Sequence, residues 1–166
     1  MSKHSPAPPA PLRGHRVQEL VCAYRPLRSR DGRVIDVPTL DLGNARIAAS
    51  VFTQLLAGEP VEVFGVACLS TKHRLLAWHV LSRGTRASTL VSMPDVFVPA
   101  CLTPGTTTVM VVHNHPSGDP SPSPDDVQVT RMIVEAGSLL NIDVLDHVII
   151  GRQRFVSMKE RGLGFK

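Results

Sequence analysis

Apolar positions along this chain fall into two rhythms. Short continuous runs read as strands, and longer stretches with helical spacing read as helices. The run from Glu62 to Leu69 and the run Val109-Met110-Val111-Val112 are almost free of polar side chains. That is the pattern of central strands covered on both faces. Arg74 to Leu81 reads as a partner strand with Trp78 and His79 on opposite faces, and Val144 to Ile150 and Phe155-Val156-Ser157 as two more. Glu19 to Tyr24 reads as a first strand, and Asp31-Gly32 as a turn with Val34-Ile35 returning from it. Helical spacing over Ala45–Leu56 puts Ile47, Val51 and Leu55 on one face, with Gly58 as the stop. A second helix starts at Ser92-Met93-Pro94-Asp95 and runs to about Ala100, where Pro99 argues for a stop or a kink. A third runs from Asp125 to Leu140 with Val129, Ile133, Ala136 and Leu140 on one stripe. The order of these elements predicts an α/β fold, a mixed β-sheet flanked by helices.

Composition narrows the class. A chain of 166 residues, 43% hydrophobic, can bury one ordinary core, and at 4% aromatic content that core is aliphatic. Residues 1–15 are a tail, because Ser5-Pro6-Ala7-Pro8-Pro9-Ala10-Pro11 can build neither a helix nor a sheet ladder. Residues 16–166 are expected to form a single domain. No apolar run has the roughly 18 residues of a membrane span, and no secretory signal is visible. Cys22, Cys68 and Cys101 form no framework or CxxC pair, which fits a reducing cytoplasm with Cys68 and Cys101 packed as small apolar groups. Charge is uneven. Residues 1–35 carry Lys3, Arg13, Arg16, Arg25, Arg28, Arg30 and Arg33 against Glu19 and Asp31, which is +5 of a total of +4. A basic leader suits weak, salt-dependent nucleic-acid contact or a solvated arm.

The chemistry concentrates between the Val109–Val112 run and the third helix. His113 and His115 are two apart, so on an extended backbone both imidazoles share a face. Two imidazoles and the carboxylate of Asp126 would make three ligands with a fourth position open, the pattern of a catalytic zinc. The same residues have a structural reading. Most H-x-H pairs are surface or packing histidines, and Ser123-Pro124-Asp125-Asp126 is also a good helix start, with a capping serine, proline at the first position and an acid at the third. His73 and His79 read as structural or surface residues.

The combined spacing is H-x-H, seven residues, Ser, two residues, Asp. It resembles the JAMM motif of the MPN-type metalloproteases. The wider stretch His113 to Asp126, with Leu145-Asp146-His147-Val148-Ile149-Ile150-Gly151, Ser82-Arg83-Gly84-Thr85 and Glu160-Arg161-Gly162, is similar to the RadC family in particular. The resemblance runs from about Glu62 to Gly162. It implies the MPN/JAMM fold, distantly similar to cytidine deaminases, and zinc held by His113, His115 and Asp126. It also implies that Glu62 acts as the base on the attacking water and that Ser123 donates to the developing oxyanion. A deaminase is disfavoured, because the H-x-E and P-C-x-x-C ligand pattern is absent. Members of the family often carry a helix-hairpin-helix segment ahead of this domain, which the short leader is not expected to contain.

These observations favour a zinc-dependent hydrolase acting on a peptide or protein amide. The alternative is a DNA-associated accessory or repair protein, for which the basic leader and the family label speak. A catalytically silent binding module is a third class, against which the complete set of Glu62, His113, His115, Ser123 and Asp126 argues. Glu62 has its own bland reading, a solvated acid at a strand start. His147 reads either as a neighbour of the metal or as a core histidine, and core packing is the favoured of the two. Adjacent Asp146 and His147 cannot both enter one site from a regular strand.

Overall fold

All seven residues of strand β1, Val63–Leu69, are buried, and so are all seven of a later strand, Thr108–Asn114. The computed structural model describes residues 23, 25–29, 31–35, 41–56, 58–84 and 91–165. The tail to residue 15 lies outside them, as does all but Ala23 of the strand expected over Glu19–Tyr24. Helix α1 is Ala45–Leu56, β2 is Leu75–Arg83 and α2 is Met93–Leu102. Thr108–Asn114 is β3, followed by α3, Pro124–Leu140, then β4, Asp143–Ile150, and β5, Phe155–Ser157. The five strands form one sheet in the order β2-β1-β3-β4-β5. Only β3 and β4 pair in parallel, and α3 is the crossover that parallel neighbours require. The fold is the expected α/β class, a mixed sheet with helices on both faces.

Strand alternation sorts the side chains into two cores. Val63, Ala67, Leu69, Met110, Val112, Val148 and Ile150 meet Phe52 and Leu56 of α1. Phe64, Val66, Cys68, Val109 and Val111 meet Phe97 of α2 and Val129 and Ile133 of α3. Trp78 crosses over β1 to pack on Phe52, with ring centroids 4.9 Å apart. It crosses at Gly65, where a Cβ would come within 2.4 Å of the indole. His113, two residues beyond Val111, therefore faces α3. So does His147, which pairs with Val111 across the parallel ladder.

Several expected boundaries shift. The deepest side of α1 is Ala45, Ala48, Ala49, Phe52 and Leu56; Val51 is buried too, but Ile47 and Leu55 are only partly covered. Ser82 and Arg83 still belong to β2 rather than leaving the sheet. Helix α2 continues to Leu102 with Pro99 inside it. The buried Val96, Phe97 and Ala100 hold it on the sheet against the loss of one helical bond at the proline. The buried stripe of α3 ends at Gly137, and Leu140 is half exposed because Asn141 caps the helix in the left-handed region and turns the chain away. Cys68 is buried, but Cys101 is exposed and is not a core residue. Val34 makes a single bridge to Arg28 around the Asp31-Gly32 turn. Among the described residues no helix is long and apolar enough to cross a membrane.

Candidate metal centre

β3 delivers His113 from the middle of the sheet, between Phe64 of β1 and Ile149 of β4. The strand ends one residue later, yet His115 N–H still donates to Ile150 O at 2.9 Å, so the exit stays pinned to β4. A turn follows in which Gly118, at φ +84°, donates to His115 O. A positive φ is where glycine carries no Cβ penalty. This turn brings Asp119 main-chain O to 2.7 Å from His115 Nδ1. The carbonyl can only accept, so His115 donates from Nδ1.

Helix α3 supplies the third group. Ser123 is its N-cap, Pro124 fills the first turn, and Asp126 is the third helical residue. Ser123 Oγ accepts from Asp126 N–H at 3.1 Å and donates to Asp126 Oδ2 at 2.7 Å. Ser123 N–H also donates to Oδ2, at 2.8 Å. This capping box orients the Asp126 carboxylate as well as starting the helix.

The three groups converge. His113 Nε2 lies 2.9 Å from His115 Nε2 and 3.3 Å from Asp126 Oδ1, and His115 Nε2 lies 3.6 Å from Asp126 Oδ2. Around a tetrahedral zinc with bonds of about 2.0–2.1 Å, ligand atoms sit about 3.3 Å apart. The donor set and its spacing therefore fit such an ion. Electrostatics agree. Burial works to raise the Asp126 pKa, but the bond to His115, the neighbouring His113 and the Ser123 donors hold it well below the usual carboxylate range. Burial holds His113 well below the ordinary imidazole value, with His147 adding to the effect. His115 is raised by its interaction with Asp126, against the opposing effect of burial.

Glu62 lies immediately before β1. Its Oε1 is buried with no hydrogen-bond partner among the described residues. Burial raises its pKa, the Asp126 charge raises it further, and His115 pulls the other way. The Glu62 carboxyl thus feels the charges of Asp126 and His115. One oxygen of this acid at the strand start is shielded from solvent while the residue as a whole is half-buried.

Two groups that the sequence left open or silent join the site. His147 is fully buried, with Nε2 at 2.7 Å from His113 Nδ1, so it touches His113 instead of serving only as core. Burial drives its pKa down to about 4. Its Nδ1 lies 2.6 Å from Thr130 Oγ1. Thr130 was legible only as the residue one turn beyond Asp126 on the same helical face. Asp146 faces the other way, as strand alternation requires. It accepts from Ser157 Oγ at 2.6 Å, His147 N–H at 2.7 Å and Lys159 N–H at 3.1 Å. His79 is exposed, and His73 pairs with Asp41 at 3.3 Å; neither approaches the centre.

Comparison with known proteins points the same way. A family model described as RadC-like JAB domain matches residues 42–163. A UPF0758 protein of Roseiflexus sp. (strain RS-1) is 52% identical over 105 residues, covering 63% of this chain and 44% of the relative. A UPF0758 protein of Methanosarcina barkeri is 48% identical over 101 residues, covering 61% and 44%. One of Methanosarcina mazei is 37% identical over 142 residues, covering 86% and 62%. The chain spans about half the length of the curated relatives it matches.

Proposed function

The chain belongs to the family of RadC-like JAB domains, and from that premise we propose that it is a zinc-dependent hydrolase that cleaves an amide bond in a peptide or protein. The observation that carries this reading is the convergence of the His113, His115 and Asp126 ligand atoms, together with a Glu62 Oε1 that is buried without a hydrogen-bond partner among the described residues. His113 and His115 would hold zinc through Nε2 and Asp126 through a carboxylate oxygen. When bound, zinc supplies Lewis acidity toward the scissile carbonyl and makes water acidic enough to ionise near neutral pH.

Glu62 is the candidate base, since its Oε1 has no hydrogen-bond partner among the described residues. Burial and the nearby Asp126 charge make its anion a stronger base than a surface glutamate. It takes a proton from the attacking water as the water oxygen bonds to the carbonyl carbon. It then passes that proton to the leaving nitrogen as the C–N bond breaks, releasing an amine and a carboxylic acid that gives its own proton to solvent. Ser123 keeps a part as donor to the oxyanion, but its hydroxyl must first turn away from Asp126 Oδ2.

Elemental analysis and kinetics on a peptide library test this together. Wild-type protein should carry about one zinc per chain, and the His113→Ala/His115→Ala double variant essentially none. Glu62→Gln should keep its zinc while hydrolysis falls by a factor on the order of 10²–10⁴. Full zinc in the double variant, or loss of zinc in Glu62→Gln, would overturn the assignment.

A further inference from the structure

We infer that Thr130 and His147 are positioning residues whose hydrogen bonds set the tautomer of His113, leaving its Nε2 without a proton and directed at the metal position. This deepens the zinc reading above and rests on it only for what Nε2 binds.

One end of the chain of bonds has a fixed direction. The Asp126 main-chain carbonyl only accepts, so the Thr130 hydroxyl, 2.5 Å away, donates to it. A hydroxyl has one proton. Toward His147 Nδ1, at 2.6 Å, Thr130 Oγ1 therefore accepts, which places a proton on His147 Nδ1. His147 is fully buried, and its two partners are a hydroxyl and another imidazole rather than a carboxylate, so the ring is neutral and its Nε2 is bare. Nε2 then accepts from His113 Nδ1 at 2.7 Å. His113, equally buried, carries its proton on Nδ1, and its Nε2 is left as a lone pair facing His115 Nε2 and Asp126 Oδ1.

The surroundings keep the ring in that orientation. Phe64 stacks on His113 at 15° with centroids 5.5 Å apart, so the imidazole cannot easily rotate to exchange its nitrogens. His115 is oriented by a separate bond, to Asp119 O. The helix that presents the Asp126 carboxylate thus also governs the protonation of a histidine on β3, through a histidine on β4. A partner for the second ring nitrogen is what ligating histidines need to keep orientation and basicity.

Thr130→Val keeps the side-chain shape and removes the hydroxyl. His147 Nδ1–H then faces a methyl group, and its proton is better placed on Nε2, donating to His113 Nδ1. That moves the His113 proton onto its ligating nitrogen. Zinc affinity, measured by competition with a chelator, should fall about 10- to 100-fold. Long-range ¹H–¹⁵N correlation spectra of the zinc-free protein should show His113 changing from Nδ1–H to Nε2–H. Thr130→Ser keeps the hydroxyl and should match wild type in both measurements. Wild-type affinity in Thr130→Val, reduced affinity with the His113 tautomer unchanged, or an equal loss in Thr130→Ser would each overturn the inference. So would an Nε2–H His113 in zinc-free wild-type protein, a measurement that needs no variant to fold. Failure of wild type to bind zinc would sink the hydrolase reading and leave the tautomer spectra to decide this one.

Discussion

The Asn114 carboxamide bridges the main chain on both sides of Glu62. Its Oδ1 accepts from Val63 N–H at 2.8 Å, and its Nδ2 donates to Val61 O at 3.2 Å. Gly84 N–H donates to Glu62 O itself at 2.9 Å. The residue between His113 and His115 therefore holds the backbone around Glu62, and Asn114 is only 3% exposed while doing so.

Asn114→Ala should separate base from metal. It strips partners from a buried N–H and a carbonyl, at about 1–3 kcal/mol of stability. The backbone around Glu62 loosens, so hydrolysis should fall at least tenfold, by order-of-magnitude reasoning from a misplaced catalytic group. Zinc content should stay near wild type, since no ligand is touched. Chemical denaturation, elemental analysis and steady-state kinetics read the three effects. Unchanged turnover in a folded variant would show that the clamp does not position Glu62.

Ser123→Ala tests two roles of one hydroxyl. Losing the N-cap should cost about 1 kcal/mol in a thermal or denaturant melt. Asp126 Oδ2 keeps the Ser123 N–H but loses the O–H, so zinc affinity should weaken modestly. At saturating zinc the turnover number decides the rest. A fall on the order of 10²–10³ marks an oxyanion donor, whereas a rate close to wild type confines Ser123 to capping and to orienting Asp126.

The raised pKa of Glu62 gives a pH signature in zinc-free protein. A carboxyl whose folded pKa lies above its ordinary 4.5 binds its proton more tightly when folded. That contribution to stability is fully present below the unfolded value and is lost as pH rises through the folded one. Glu62→Gln has no proton to bind there. With chelator present, the variant should therefore gain on wild type as pH rises from about the ordinary 4.5 through the folded pKa, and the difference should level off above it. Melting curves that stay parallel across that range would remove the buried-acid account.

Much of this protein is written in short-range pattern. Unbroken apolar runs announced β1 and β3, since a strand covered twice has no polar side. The spacing of His113 and His115 followed from strand alternation, and Ser123-Pro124 with Asp126 followed from what a helix start needs. These are relations among residues within a few positions of one another, where backbone geometry alone decides which side chains share a face. The placement of Glu62, the turn of His147 toward His113 and the part played by Thr130 were decided elsewhere. Each depends on the register between β1, β3 and β4 and on where α3 lies across them. Even the run of α2 past Pro99 depends on burial against the sheet, which outweighs a local helix breaker. Alternation says which face a side chain takes, but its neighbour on that face comes from a strand or helix tens of residues away. Only the packed sheet fixes that pairing.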